Sequence, residues 1–120
     1  MSKKQVLVVD DEELIGELCC SVFEDGGFEA LYCSNITDAL TAASKKTYDF
    51  ILSDIQMPGG DGIEFKTELN KLGINTPFLF MTGFSSLPKE EVHTLSAVGI
   101  IKKPFSIDVL QKYINKFLIN

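Results

Sequence analysis

Five short apolar runs alternate with segments of helical periodicity along this 120-residue chain, and that alternation constrains the fold more than any other feature. Residues 5–9, 28–33, 49–53, 77–81 and 99–102 read as strands, several of them apolar at successive positions and so suited to burial on both faces. Between them, apolar residues recur at helical spacing: Leu14, Ile15, Leu18 and Val22; Ile36, Ala39, Leu40 and Ala43; Phe65, Leu69 and Leu72; Ile107, Leu110, Ile114 and Phe117. A weaker fifth helix is predicted over 87–98, with Pro88 in its first turn and Glu90 and Glu91 following. Gly26, Gly27, Gly73 and Gly99 stand where helices should end, as expected of left-handed closing residues. Strand-helix alternation forces right-handed crossovers and a parallel sheet covered on both faces. The expected fold is therefore α/β: a doubly wound, five-stranded parallel sheet with five helices, in three layers. At 120 residues, one domain over 1–120 is expected.

With 45% hydrophobic and 23% charged residues, the chain should bury an ordinary core. A formal net charge of −6 argues against direct nucleic-acid binding, which needs clustered Lys and Arg. No apolar run approaches membrane-spanning length, and Asp10 and Asp11 interrupt any signal-peptide core, so a cytoplasmic location is expected. Cys19, Cys20 and Cys33 have neither disulfide-framework nor metal-ligand spacing and read as reduced core thiols.

In open parallel sheets, ligands bind beyond the carboxyl ends of the strands. Asp10 and Asp11 follow the first strand, Asp54 the third, Thr82 the fourth and Lys103-Pro104 the fifth; the second strand offers only Ser34 and Asn35. Taken singly, Asp11 could cap a helix, Asp61-Gly62 could be a turn, and Thr82 could bond the backbone. Gathered on one rim, three carboxylates repel unless a cation fills the site. All-oxygen ligands point to a hard ion, Mg²⁺. Asp54, alone at the central strand's end, is the candidate nucleophile for an acyl phosphate, with Lys103 as fixed ammonium and Thr82 as hydroxyl donor to the phosphoryl oxygens. Lys102 competes with Lys103, but neighbours on a strand point to opposite faces, so only one can enter the rim.

The segments Val8-Val9-Asp10-Asp11-Glu12, Asp54-Ile55-Gln56-Met57-Pro58-Gly59-Gly60-Asp61-Gly62, Met81-Thr82-Gly83 and Lys102-Lys103-Pro104-Phe105 resemble the response-regulator receiver domain of two-component signalling, over the whole chain and in order. The resemblance implies a flavodoxin-like sandwich with strand order 2-1-3-4-5, Mg²⁺ bound by Asp10 and Asp11, phosphorylation on Asp54, a metal-binding backbone carbonyl at Gln56, a switching hydroxyl at Thr82 and a cis bond between Lys103 and Pro104. It implies a histidine kinase or histidine phosphotransferase as donor, homodimerisation on phosphorylation, and no enzyme activity beyond the domain's own phosphorylation and dephosphorylation. Since the chain stops directly after its last helix, output is expected through a protein partner or a domain absent from this chain. Relatives often carry Tyr or Phe three residues before the lysine; here that residue is Ile100, β-branched and stiff about χ1. The switch should then be carried by residues 83–86 and the weak helix, with Lys102 and the last helix completing a partner surface. Phe84 is expected to shield the acyl phosphate from water.

Three rival readings are weaker. A flavin carrier needs a hydroxyl-rich phosphate loop where Asp10 and Asp11 stand, and an aspartate-nucleophile phosphatase needs a general acid where Gln56 stands. A receiver-like interaction module that is never phosphorylated would have no use for the full set of pocket residues. No P-loop, zinc spacing or helix-turn-helix is present.

Overall fold

A computed structural model describes residues 3–57, 61–83 and 89–119. Its strands are β1 (Gln5–Val9), β2 (Glu29–Cys33), β3 (Phe50–Asp54), β4 (Phe78–Thr82) and β5 (Gly99–Lys102), all paired in parallel in the order β2-β1-β3-β4-β5. Four full helices connect or follow them: α1 (Glu13–Asp25), α2 (Ile36–Lys45), α3 (Gly62–Lys71) and α5 (Ile107–Phe117). Of the segment expected to be a helix over 87–98, the described residues form only the six-residue α4 (Lys89–Thr94), and Leu87 and Pro88 lie outside the described residues. None of the helices is long and apolar enough to cross a membrane, among the described residues.

Alternation along the strands splits the interior into two cores. Val6, Val8, Phe50, Leu52, Leu79 and Met81 pack against Cys19 and Phe23 of α1 and Leu110 and Ile114 of α5. Their neighbours Leu7, Val9, Ile51, Phe78 and Phe80 face Ala39 and Ala43 of α2 and Phe65 and Leu69 of α3. The central strands β3 and β4 are buried at every position, which explains why they read as unbroken apolar runs. Both extend one residue further toward the carboxyl rim than expected. The backbone N–H of Ile55 donates to the Met81 carbonyl (2.9 Å) and that of Lys103 to the Thr82 carbonyl (2.7 Å), so Asp54 and Thr82 are ladder residues held as rigidly as the sheet. The three cysteines are buried free thiols; burial pushes Cys19 up to about 12 and Cys20 to about 11.

The glycines need two corrections, the first being that Gly26, the C-cap of α1, is right-handed at φ −81°. Gly27 and Gly73 take positive φ (93° and 75°) just after α1 and α3, as expected. After α4 the left-handed residue is instead Ser96 (φ 64°), and Gly99 opens β5. What Gly99 supplies is space: a Cβ there would stand 2.5 Å from the Tyr113 hydroxyl of α5. Gly99→Ala should therefore destabilise the fold by roughly 1–3 kcal/mol, the usual size of an overpacking penalty. Urea unfolding of the two proteins at one pH measures it.

Candidate functional site

The register of the sheet brings the polar strand ends together. Val9 lies opposite Ser53, and Asp54 opposite Met81, so the residues following β1 and ending β3 share one edge with Thr82 and Lys103. Asp10 is wholly buried, Asp54 is 5% exposed, and Thr82 is wholly buried. Asp11 and Glu12 lie on the exposed side of the same edge. Carboxylate oxygens of Asp10, Asp11, Glu12 and Asp54 all fall within 4.8 Å of one another. With Gln56, Gly83 and Lys103, three of them line a cavity of about 270 Å³. A larger cavity, about 620 Å³, opens at the opposite end of the sheet between the α2–β3 and α3–β4 connections, but none of its lining residues is a carboxylate. Chemistry, not size, distinguishes the rim.

Lys103 is the hub. Its Nζ donates to Asp10 Oδ2 (2.7 Å), Asp54 Oδ2 (3.0 Å) and Glu12 Oε1 (3.1 Å). Lys102 is exposed, which resolves the choice between the two lysines in favour of Lys103. The Lys103–Pro104 peptide is cis, as the resemblance implied. Burial disfavours the Lys103 ammonium, but hydrogen bonds to Asp10 and Asp54 outweigh it and hold the group above the ordinary lysine range. Asp54 is raised as well: burial pushes it up further than the bond and charge of Lys103 pull it down, and Asp10 and Asp11 add repulsion. The carboxylate is thus left short of positive charge.

Local structure aims the remaining groups. Asp10 Oδ1 accepts from the Glu12 N–H (2.8 Å), so Asp10 rather than Asp11 braces the entry to α1, and α1 has no side-chain cap. Asp61 is the N-cap of α3, its Oδ1 accepting from the Glu64 N–H (2.8 Å). Gly62 follows because a Cβ would strike the Asp54 carbonyl, while its N–H donates to the Ile55 carbonyl (2.7 Å). The pair read as a turn is therefore the device that docks α3 behind Asp54. The Thr82 hydroxyl donates to the Gln56 side-chain oxygen (3.2 Å), a contact that the expected backbone role of Gln56 did not anticipate. Glu12 is a second residue that sequence reasoning quoted without a role; its place beside two aspartates was the available signal. Ile100 is half-buried and packs on the Phe78–Phe80 side of the sheet. Pro58, Gly59, Gly60, Phe84, Ser85 and Ser86 lie outside the described residues, and with them the shielding role expected of Phe84 and most of the expected switch loop.

The family model for the response regulator receiver domain matches residues 6–115. The chain belongs to the response regulator receiver domain family. This receiver domain is 31% identical over 119 residues to sporulation initiation phosphotransferase F of Bacillus subtilis, covering 98% of the chain and 96% of that protein. Among solved structures it is similar to the chemotaxis protein CheY4 of Vibrio cholerae (TM-score 0.88, 31% identity, 97% of this chain and 99% of that one). It is also similar to the response regulator TrrA of Thermotoga maritima in complex with Mg²⁺-BeF (TM-score 0.85, 30% identity, 95% and 98%). Several transcriptional regulators that it matches are about twice its length, so that it spans about half of each.

The charge arrangement sets the pH dependence of the metal-free receiver domain. Lys103, raised above 10.5, contributes stability that is fully present below that value and is lost as pH climbs through the folded pKa. Asp54, raised above 3.8, binds its proton more tightly when folded, so its burial costs stability as pH rises above 3.8. Lys103→Met should destabilise by about 3–5 kcal/mol at pH 7, because it leaves two buried carboxylates without their cation. Asp54→Asn should instead be neutral or stabilising and should flatten the acid side of the profile. Urea unfolding across a pH series without Mg²⁺ checks both.

Proposed function

We propose that this receiver domain takes a phosphoryl group from a phosphohistidine donor onto Asp54, with Mg²⁺ held directly by Asp11, Asp54 and the Gln56 backbone carbonyl and by Asp10 through water or at longer range. The observation that carries the reading is the pairing of a buried, charge-deficient Asp54 with the Lys103 ammonium at the mouth of an acidic cavity. Oxygen donors without His or Cys suit a hard divalent ion, and the partly open edge leaves room for its waters. When bound, Mg²⁺ supplies positive charge that relieves carboxylate repulsion and neutralises phosphoryl oxygens in the transition state.

An Asp54 oxygen forms the new bond to phosphorus as the phosphorus–nitrogen bond of the donor breaks, the electron pair leaving on the imidazole. Lys103 loses its Asp54 contact and bonds a phosphoryl oxygen, an exchange of one anionic acceptor for another at the same place. Thr82 turns its hydroxyl from Gln56 to a second phosphoryl oxygen. Ladder bonding fixes the Thr82 backbone, so the motion is a side-chain rotation. With Ile100 in the aromatic's place, the change passes through residues 83–86 and α4 toward Lys102 and α5, the expected partner surface.

The donor is a histidine kinase or histidine phosphotransferase, and the output is a protein partner, an output domain or a homodimer formed on phosphorylation. Direct nucleic-acid binding is disfavoured by the net charge of −6. The domain acts in the cytoplasm and catalyses only its own phosphorylation and dephosphorylation. No observation favours the unphosphorylated interaction module.

Incubation with a small phosphodonor and Mg²⁺, followed by intact-mass measurement, should show one added phosphoryl group. Asp54→Asn and chelation of the metal should each abolish it, and Asp11→Ala should remove the Mg²⁺ dependence along with the product. Persistent, metal-dependent addition in Asp54→Asn would overturn the assignment.

A further inference from the structure

The edge strand β2, which offered no reactive group beyond its end, sends one side chain back into the site. The Tyr32 hydroxyl donates to the backbone carbonyl of Asp10 at 2.6 Å. Tyr32 lies opposite Val8 in the ladder, so its ring runs along the sheet past Val9 to reach that carbonyl. It passes beneath α1 at Gly16, where a Cβ would stand within 3.0 Å of three ring carbons. Glycine in a helix interior costs roughly 1 kcal/mol relative to alanine. Here it opens the space that the Tyr32 ring occupies under α1.

The geometry points to Tyr32 as a positioning residue for the acidic pair Asp10 and Asp11, admitted by Gly16. The reason lies in the peptide between them, whose planarity ties the Asp10 carbonyl to the Asp11 N–H and Cα. A donor that fixes this carbonyl fixes the plane, and with it the direction from which the Asp11 side chain leaves. The other Asp10 contacts do not set that plane. Its N–H donates to the Cys33 carbonyl (3.2 Å), and its carboxylate meets the Glu12 N–H and Lys103. Asp11 is exposed, so its direction depends on its backbone. This role rests on the Mg²⁺ site proposed above.

Tyr32→Phe keeps the ring and removes the hydrogen bond. In the metal-free protein its amide shift changes should concentrate at Asp10, Asp11 and Glu12, and calorimetric titration with Mg²⁺ should show about fivefold weaker binding, the size of one neutral hydrogen bond. Gly16→Ala should displace the ring and reproduce these changes at least as strongly. Wild-type shifts at Asp11 together with wild-type Mg²⁺ affinity in Tyr32→Phe would make Tyr32 a packing residue and overturn the inference. Failure of the wild type to bind Mg²⁺ would overturn the proposed function instead, and the metal-free amide shifts would still decide for or against the positioning role.

Discussion

The site depends on one ammonium group. Asp10 and Asp54 are both buried with carboxylate oxygens no more than 4.8 Å apart, and at an effective dielectric near 20 their repulsion is on the order of a few kcal/mol. Lys103 bonds both, and its backbone N–H is tied to the Thr82 carbonyl, so the sheet presents the cation rather than a flexible tether. The arrangement is stable but incomplete. One lysine cannot balance four nearby carboxylates, and the residual negative charge is what the proposed Mg²⁺ would neutralise.

Rigidity elsewhere serves that electrostatic arrangement. Asp54 ends a strand buried at every position, Gly62 seats α3 directly against its carbonyl, and Asp61 caps the same helix. Asp54 therefore has little freedom of its own. At the rim the Thr82 hydroxyl holds the Gln56 side chain. In the function proposed above, the strand-borne groups stay fixed during phosphoryl transfer and the Thr82–Gln56 bond is the contact exchanged afterward.

Most of this was legible in the sequence because two periodicities carried it. Alternating strands and helices fixed the sheet, and the sheet then delivered Asp10, Asp54, Thr82 and Lys103 to one edge whatever the loops did. The readings that needed correction share a different cause. Gly99 was taken as a helix terminator and Asp61-Gly62 as a turn, yet each is explained by a neighbour distant in sequence, Tyr113 and the Asp54 carbonyl; Tyr32, which carried no pattern, is explained in the same way by Gly16 and Asp10. Local pattern reports what a residue does to its own backbone. It carries no signal for a space left open for someone else's side chain.

The close fit of Tyr32 under Gly16 also makes the two positions interdependent. A Cβ at 16 would stand within 3.0 Å of the Tyr32 ring, so a larger residue there forces the ring to shift, whereas glycine above a smaller residue at 32 leaves only its own cost of roughly 1 kcal/mol in helix stability. The effect of changing either residue therefore depends on what stands at the other, and helix and edge strand vary as one unit.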